Sequence, residues 1–108
     1  MDNMCREISR EEVARLISEA RPTEQRFLLK LETWDKNNYV DTNYVRCIYG
    51  VMEQVLLSEQ KRGDYQEQEY LIIPKSVPTI LREVWTFGDS VKEVLWIFVS
   101  TGWKKLTL

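Results

Sequence analysis

Ile80-Leu81-Arg82-Glu83-Val84-Trp85-Thr86-Phe87 is the stretch on which the reading of this chain turns. As a strand it sets Arg82 on one face with Ile80 and Val84, and Glu83 on the other with Leu81 and Trp85, so each face carries a charge. As a helix it gathers Ile80, Leu81, Val84 and Trp85 on one side and Arg82, Glu83 and Thr86 on the other. The helix separates apolar from polar residues and the strand does not. That separation favours a helix, although Val, Ile, Trp, Phe and Thr, all strand formers, are abundant throughout residues 79–108.

Outward from this stretch, the same punctuation recurs. Pro78 suits the first turn of a fourth helix carrying this stretch. Gly88-Asp89-Ser90 resets the chain, and Ser90 with Glu93 forms a capping-box pattern that starts a further helix, stopped by Gly102. Upstream, Tyr70-Leu71-Ile72-Ile73, closed by Pro74, reads as one short extended segment, and residues 64–69 as a polar linker. A long helix is predicted from Asp41 or Thr42 to Arg62. Tyr44, Ile48, Val51 and Val55 step along it by four, three and four, and Lys61-Arg62-Gly63 ends it. Gly50 stands inside that pattern at a cost of about 1 kcal/mol relative to Ala, suggesting a close helix crossing.

Thr23 caps a predicted helix over residues 24–36, with Phe27, Leu28, Leu31 and Trp34 inward and Asn37-Asn38 as the break. The first helix, residues 10–20, has the fullest start signal: Ser9 positioned to cap the N–H of Glu12, Glu12 to reach back, and Ile8 with Val13 as a hydrophobic staple. Val13, Leu16, Ile17 and Ala20 line one face, and Arg21-Pro22 ends it. The expected fold class is all-α: a compact bundle of about five helices with one short extended segment, a single helical domain over residues 1–108 with residues 1–8 as a tail. The alternative is α+β, three N-terminal helices and a C-terminal β-meander punctuated at Gly88-Asp89 and Thr101-Gly102.

The composition, 44% hydrophobic and 30% charged over 108 residues, is that of a globular chain and not a disordered one. A net charge of −2 speaks against a large electrostatic footprint on nucleic acid or an anionic membrane. The longest apolar run, Val94-Leu95-Trp96-Ile97-Phe98-Val99, is far short of the roughly 20 residues a membrane helix needs, and no signal-type leader opens the chain. Cys5 and Cys47 make no disulfide framework and are expected as reduced thiols. A soluble cytoplasmic protein is the expectation.

Histidine is absent, which removes the commonest general base, the usual metal ligand and the Ser-His and Cys-His nucleophile pairs. Asp35-Lys36-Asn37-Asn38-Tyr39-Val40-Asp41 has the outline of a calcium loop, but Val40 stands where glycine makes the turn and Arg46 where the bidentate Glu belongs. Glu67 and Glu69 share a face only if their segment is extended, and are read as solvated rather than as a catalytic pair. No catalytic residue, cofactor or metal is therefore expected, and no enzyme activity.

The residues expected to carry function are Trp96, Val99 and Trp103. At i, i+3 and i+7 of the last predicted helix they form a second apolar stripe, rotated from the core stripe of Val91, Val94, Leu95 and Phe98. Tryptophan is a frequent binding hot spot. The expected function is a non-catalytic protein–protein interaction module, a small regulator, inhibitor or adaptor, docking on another protein or forming a homodimer through that stripe. The alternative is a helix-turn-helix DNA-binding regulator, against which the net charge and the lack of a basic recognition face both speak. Nucleic acid and membrane are not the expected partners.

Overall fold

Residues 79–87 form a strand, and the expected five-helix bundle is replaced, among the described residues, by an antiparallel sheet with one helix. The computed structural model describes residues 4–36 and 39–108, with the side chains of all of these except 34–36, 39 and 40. Its elements are β1 (Met4–Arg6), α1 (Arg10–Glu19), β2 (Arg21–Pro22), β3 (Leu28–Lys36), β4 (Tyr39–Arg62), β5 (Tyr65–Pro74), β6 (Thr79–Phe87), β7 (Ser90–Val99) and β8 (Gly102–Thr107). The α+β alternative fails as well. Its meander over β6, β7 and β8 is present, but residues assigned to its second and third helices lie in β3 and β4.

The misreading has a physical cause. The separation test assumes that one face of a strand is wet, and β6 is covered on both faces. Ile80, with Ile97 and Leu95 of β7, packs under Val13, Leu16 and Ala20 of the α1 segment. Leu81 lies on the opposite face among Phe27, Leu29, Cys47, Ile72 and Trp103. Each face then holds its charge by a cross-strand partner: Arg82 pairs with Glu93 of β7, and the Glu83 carboxylate accepts from the Trp96 indole Nε1 at 3.3 Å. A paired charge is admissible where a lone one is not.

The first predicted helix does form, because its signals are local. The N–H of Glu12 donates to Ser9 Oγ at 3.1 Å, and Ile8 packs against the cluster containing Val13. Glu12 does not reach back to Ser9; its carboxylate binds Arg15, which also holds Glu19. Burying Val13 and Leu16 stabilises the docked helix by roughly 1.5–3 kcal/mol each. Residues 4–6, expected in a tail, pair with β4, and residues 65–69, expected in a linker, open β5. Asn37-Asn38 lies outside the described residues.

β4 organises the molecule. Thr42 pairs with Thr33 of β3 and with Thr86 of β6, so β3 and β6 occupy opposite edges. Tyr49 pairs with Arg6 of β1 and Ile80 of β6, which puts β1 on the β3 edge. Val51 pairs with Met4 of β1 while its carbonyl accepts from Lys75 N, so β5 follows on the β6 edge. Because β3 also pairs with β5, the chain closes a ring in which β4 takes part twice. Register breaks at residues 47–49 and 56–58 let the strand coil through this path.

Gly50 makes the corner between them. Its φ is +97°, and a Cβ there would lie 2.5 Å from the Pro78 carbonyl oxygen and 2.8 Å from Thr79 Cα. The close helix crossing expected at this glycine is not formed; the close neighbour is the loop entering β6. Cys47, just before the corner, has its thiol pushed up to about 12 by burial, with Cys5 beside it. Among the described residues no helix is long and apolar enough to cross a membrane.

Candidate functional site at the parting of β3 and β4

Two adjacent strands that separate leave backbone groups to satisfy and a space to fill. The β3–β4 ladder runs only from Lys36↔Tyr39 to Thr33↔Thr42. Beyond Thr42 the strands part, and Asn43 bridges the gap with its side chain. Its Oδ1 accepts from Glu32 N and its Nδ2 donates to the Lys30 carbonyl. Asn43 is buried, so it has both functions of its amide engaged without help from water.

On the other edge of β4 the ladder to β6 is reinforced by threonine. Thr42 Oγ1 and Thr86 Oγ1 lie 2.9 Å apart, and the Thr86 hydroxyl also accepts from Thr42 N at 3.1 Å. Asp41 Oδ1 accepts from Gly88 N at 2.7 Å, fixing the β6–β7 turn against the start of β4. These contacts hold the β6 end rigidly beside the parting.

A pocket of about 240 Å³ opens there. Trp85 and Phe87, two residues apart on β6 and hence on one face, stack with centroids 6.0 Å apart and planes at 11°. Phe87 is 55% exposed. Glu32 and Asp41 add carboxylates, and among the described residues no basic side chain lines the pocket. Lys92 stands across from Trp85 in the β6–β7 register and is exposed.

Behind Glu32 lies a polar cluster on β3 and β5. The Tyr65 hydroxyl donates to Glu67 and, at 3.4 Å, to Glu32 Oε1. Lys30 Nζ lies 3.4 Å from Glu67 and 3.9 Å from Glu32. The hydrogen bond to Glu67, helped by desolvation and the Glu32 charge, raises the Tyr65 hydroxyl above its ordinary value. The same bond, with the Lys30 charge, holds Glu67 below the usual carboxylate range. Tyr65 therefore stays a neutral donor and Glu67 an anion across the physiological range. Glu67 and Glu69 do share a face, as an extended segment requires, with Glu67 committed to this network.

Compared with protein families, curated proteins and solved structures, the chain matches none.

The residues expected to carry function are placed differently from the predicted stripe. With the last helix replaced by β7 and β8, Trp96 and Trp103 fall on one side of the sheet and Val99 on the other. Trp103 is buried, its ring 5.4 Å from Phe27 and 5.2 Å from Phe98. Trp96 is half-buried against Phe27 at 4.6 Å, with Lys105 Nζ 5.2 Å from its ring centroid. Val99 packs against the helix-facing cluster. The three make no common surface. Trp85, Phe87, Glu32 and Asp41 were not singled out by the sequence reading. The available signal was Trp85-Thr86-Phe87 immediately before Gly88-Asp89, which under strand periodicity puts two rings on one face beside a turn. Among the described residues no group of three or more Cys, Asp or Glu side chains is placed to hold a metal ion.

Proposed function

We propose that the chain is a non-catalytic protein-interaction module, and that it docks by receiving a basic side chain of another protein in the Trp85–Phe87 pocket. The observation that carries this is the pairing of an exposed, stacked aromatic surface with two carboxylates in a space of about 240 Å³. That is below the range usual for a whole small-molecule ligand and suits one side chain. An Arg guanidinium stacks on such rings and bonds carboxylates at the same time. Lys30 and the exposed Lys92 offset only part of the local negative charge, since Glu32, Glu67 and Asp41 all lie close by. On composition, with two cysteines and no disulfide framework, the proposed compartment is the cytoplasm.

The test uses acetyl-arginine amide as probe and acetyl-citrulline amide, which has the shape without the charge, as control. Two-dimensional NMR should show the Trp85 indole signal, assigned through Trp85→Phe, shifting with a Kd of about 1 mM for the arginine probe. Phe87→Ala and Glu32→Gln should each weaken binding about three- to tenfold. An unperturbed Trp85 signal, or equal response to citrulline, overturns the proposal.

A further inference from the structure

The chain has two cysteines, and the fold brings them together on one face of β4. Cys5 of β1 stands opposite Gly50, which has no side chain to fill the space beside it. Ile48 and Tyr49 both belong to the helix-facing cluster, an arrangement that goes with the register break between Cys47 and Tyr49. Going back along β4 from Gly50, the first side chain on the Cys5 face is therefore Cys47. Cys47 is buried in the opposite cluster, and Cys5 packs against it, partly exposed. Their side chains are in hydrogen-bonding contact.

Contact alone describes two inert core thiols equally well. Three features set this pair apart. Access is unequal, with Cys5 open to solvent in part and Cys47 closed off, which gives one thiol to react first and one to resolve. Mobility is unequal too. β1 is a three-residue strand held by three pairs to β4, whereas β4 at Cys47 is also paired to Leu81 of β6. The short strand can cover the distance from sulfur contact to a bond while the sheet stays in place. Finally, Arg6 fixes the register: its Nη1 donates to the Gly50 carbonyl at 3.2 Å, and its guanidinium lies 4.6 Å from the Tyr49 ring centroid.

We propose that Cys5 and Cys47 form a reversible disulfide that clamps the N-terminal strand to β4, with a low-molecular-weight disulfide, oxidised glutathione, as oxidant. The Cys5 thiolate attacks one glutathione sulfur, which breaks that disulfide, forms a mixed disulfide on Cys5 and releases one glutathione thiolate. Cys47 then loses its proton to solvent and attacks the Cys5 sulfur. The Cys5–Cys47 bond forms, the mixed bond breaks and the second glutathione thiolate leaves. Two protein thiols are oxidised and one glutathione disulfide is reduced. Burial pushes the Cys47 thiol up to about 12, so the second step is the slower one and quickens as pH rises. The Trp85–Phe87 pocket has no part in this bond, and either reading can fail alone.

The test treats the folded protein with oxidised glutathione at about pH 7 and about pH 8.5, blocks remaining thiols by alkylation and follows intact and peptide masses. A single glutathione adduct on Cys5 should convert to the Cys5–Cys47 bond within one chain, about tenfold or more faster at the higher pH. Closing a loop of about 40 residues should raise Tm by about 10 °C or more, a gain lost with dithiothreitol. Cys47→Ala should stop the reaction at the Cys5 adduct and Cys5→Ala should leave Cys47 unmodified, with circular dichroism confirming each fold. An adduct on the unaltered chain that never converts, a bond between two chains, or a modified Cys47 in Cys5→Ala overturns the proposal. A bond that leaves Tm unchanged overturns the clamp.

Discussion

Asn43 does with a side chain what a neighbouring strand does with its backbone. Where β4 leaves β3, its amide takes the N–H of Glu32 and gives a proton to the carbonyl of Lys30. Removing it leaves two backbone groups of β3 without partners in a half-closed space, at about 1–3 kcal/mol for a buried unsatisfied group. Asn43→Ala should therefore lower stability to urea by about 2–3 kcal/mol, whereas Ala at the exposed Phe87 should change it by less than about 0.5 kcal/mol. Equal losses would mean that Asn43 does not hold the strands together. At this scale the sequence is partly legible. The absence of histidine and the failed calcium loop follow from residue identity alone. The role of Asn43 does not, since its partners are 11 and 13 residues away.

At the scale of the element, α1 was readable and β4 was not, for one reason. A capped helix is specified by contacts within four residues, and Ser9, Glu12 and the Val13–Leu16–Ala20 stripe are all local. β4 has two register breaks in its 24 residues, and they interrupt the alternation that marks a strand. What remains at Tyr44, Ile48, Val51 and Val55 is a spacing of four, three and four, the period of a helix. The corner at Gly50 provides the sharpest test. Gly50→Ala places a Cβ against the backbone of the Pro78–Thr79 segment in a positive-φ conformation and should cost about 3 kcal/mol or more. Gly63→Ala, at the hairpin tip with φ +55° and nothing within 4 Å, should cost only about 1–2 kcal/mol. Thermal unfolding of the two variants separates the cases, and a Gly50→Ala protein as stable as Gly63→Ala would refute the corner.

For the whole molecule, the decisive pairings are remote in sequence. Arg21 lies against Lys105, Met4 against Val51, and Leu28 against Leu71. No periodicity in a window of a dozen residues reports that both faces of β6 will be covered, one by α1 and one by β3 and β5. Under that double cover, Arg82 and Glu83 are admitted to the same strand by their cross-strand partners, Glu93 and the Trp96 indole. Such pairing also sets the kinetics, because long loops must close before their contacts form. Refolding followed by tryptophan fluorescence in a stopped-flow instrument should take milliseconds to seconds. A microsecond phase carrying the full amplitude would be incompatible with this topology.

β4 also governs how the sequence can drift. One strand meets four others along two edges, so inserting or deleting a residue between Thr42 and Tyr49 would turn inward-facing side chains outward for every partner downstream. The hairpin tips at residues 63–64, 88–89 and 100–101 carry no such obligation. Descendants of this chain are free to lengthen at those three points, while the span of β4 is held to a fixed count.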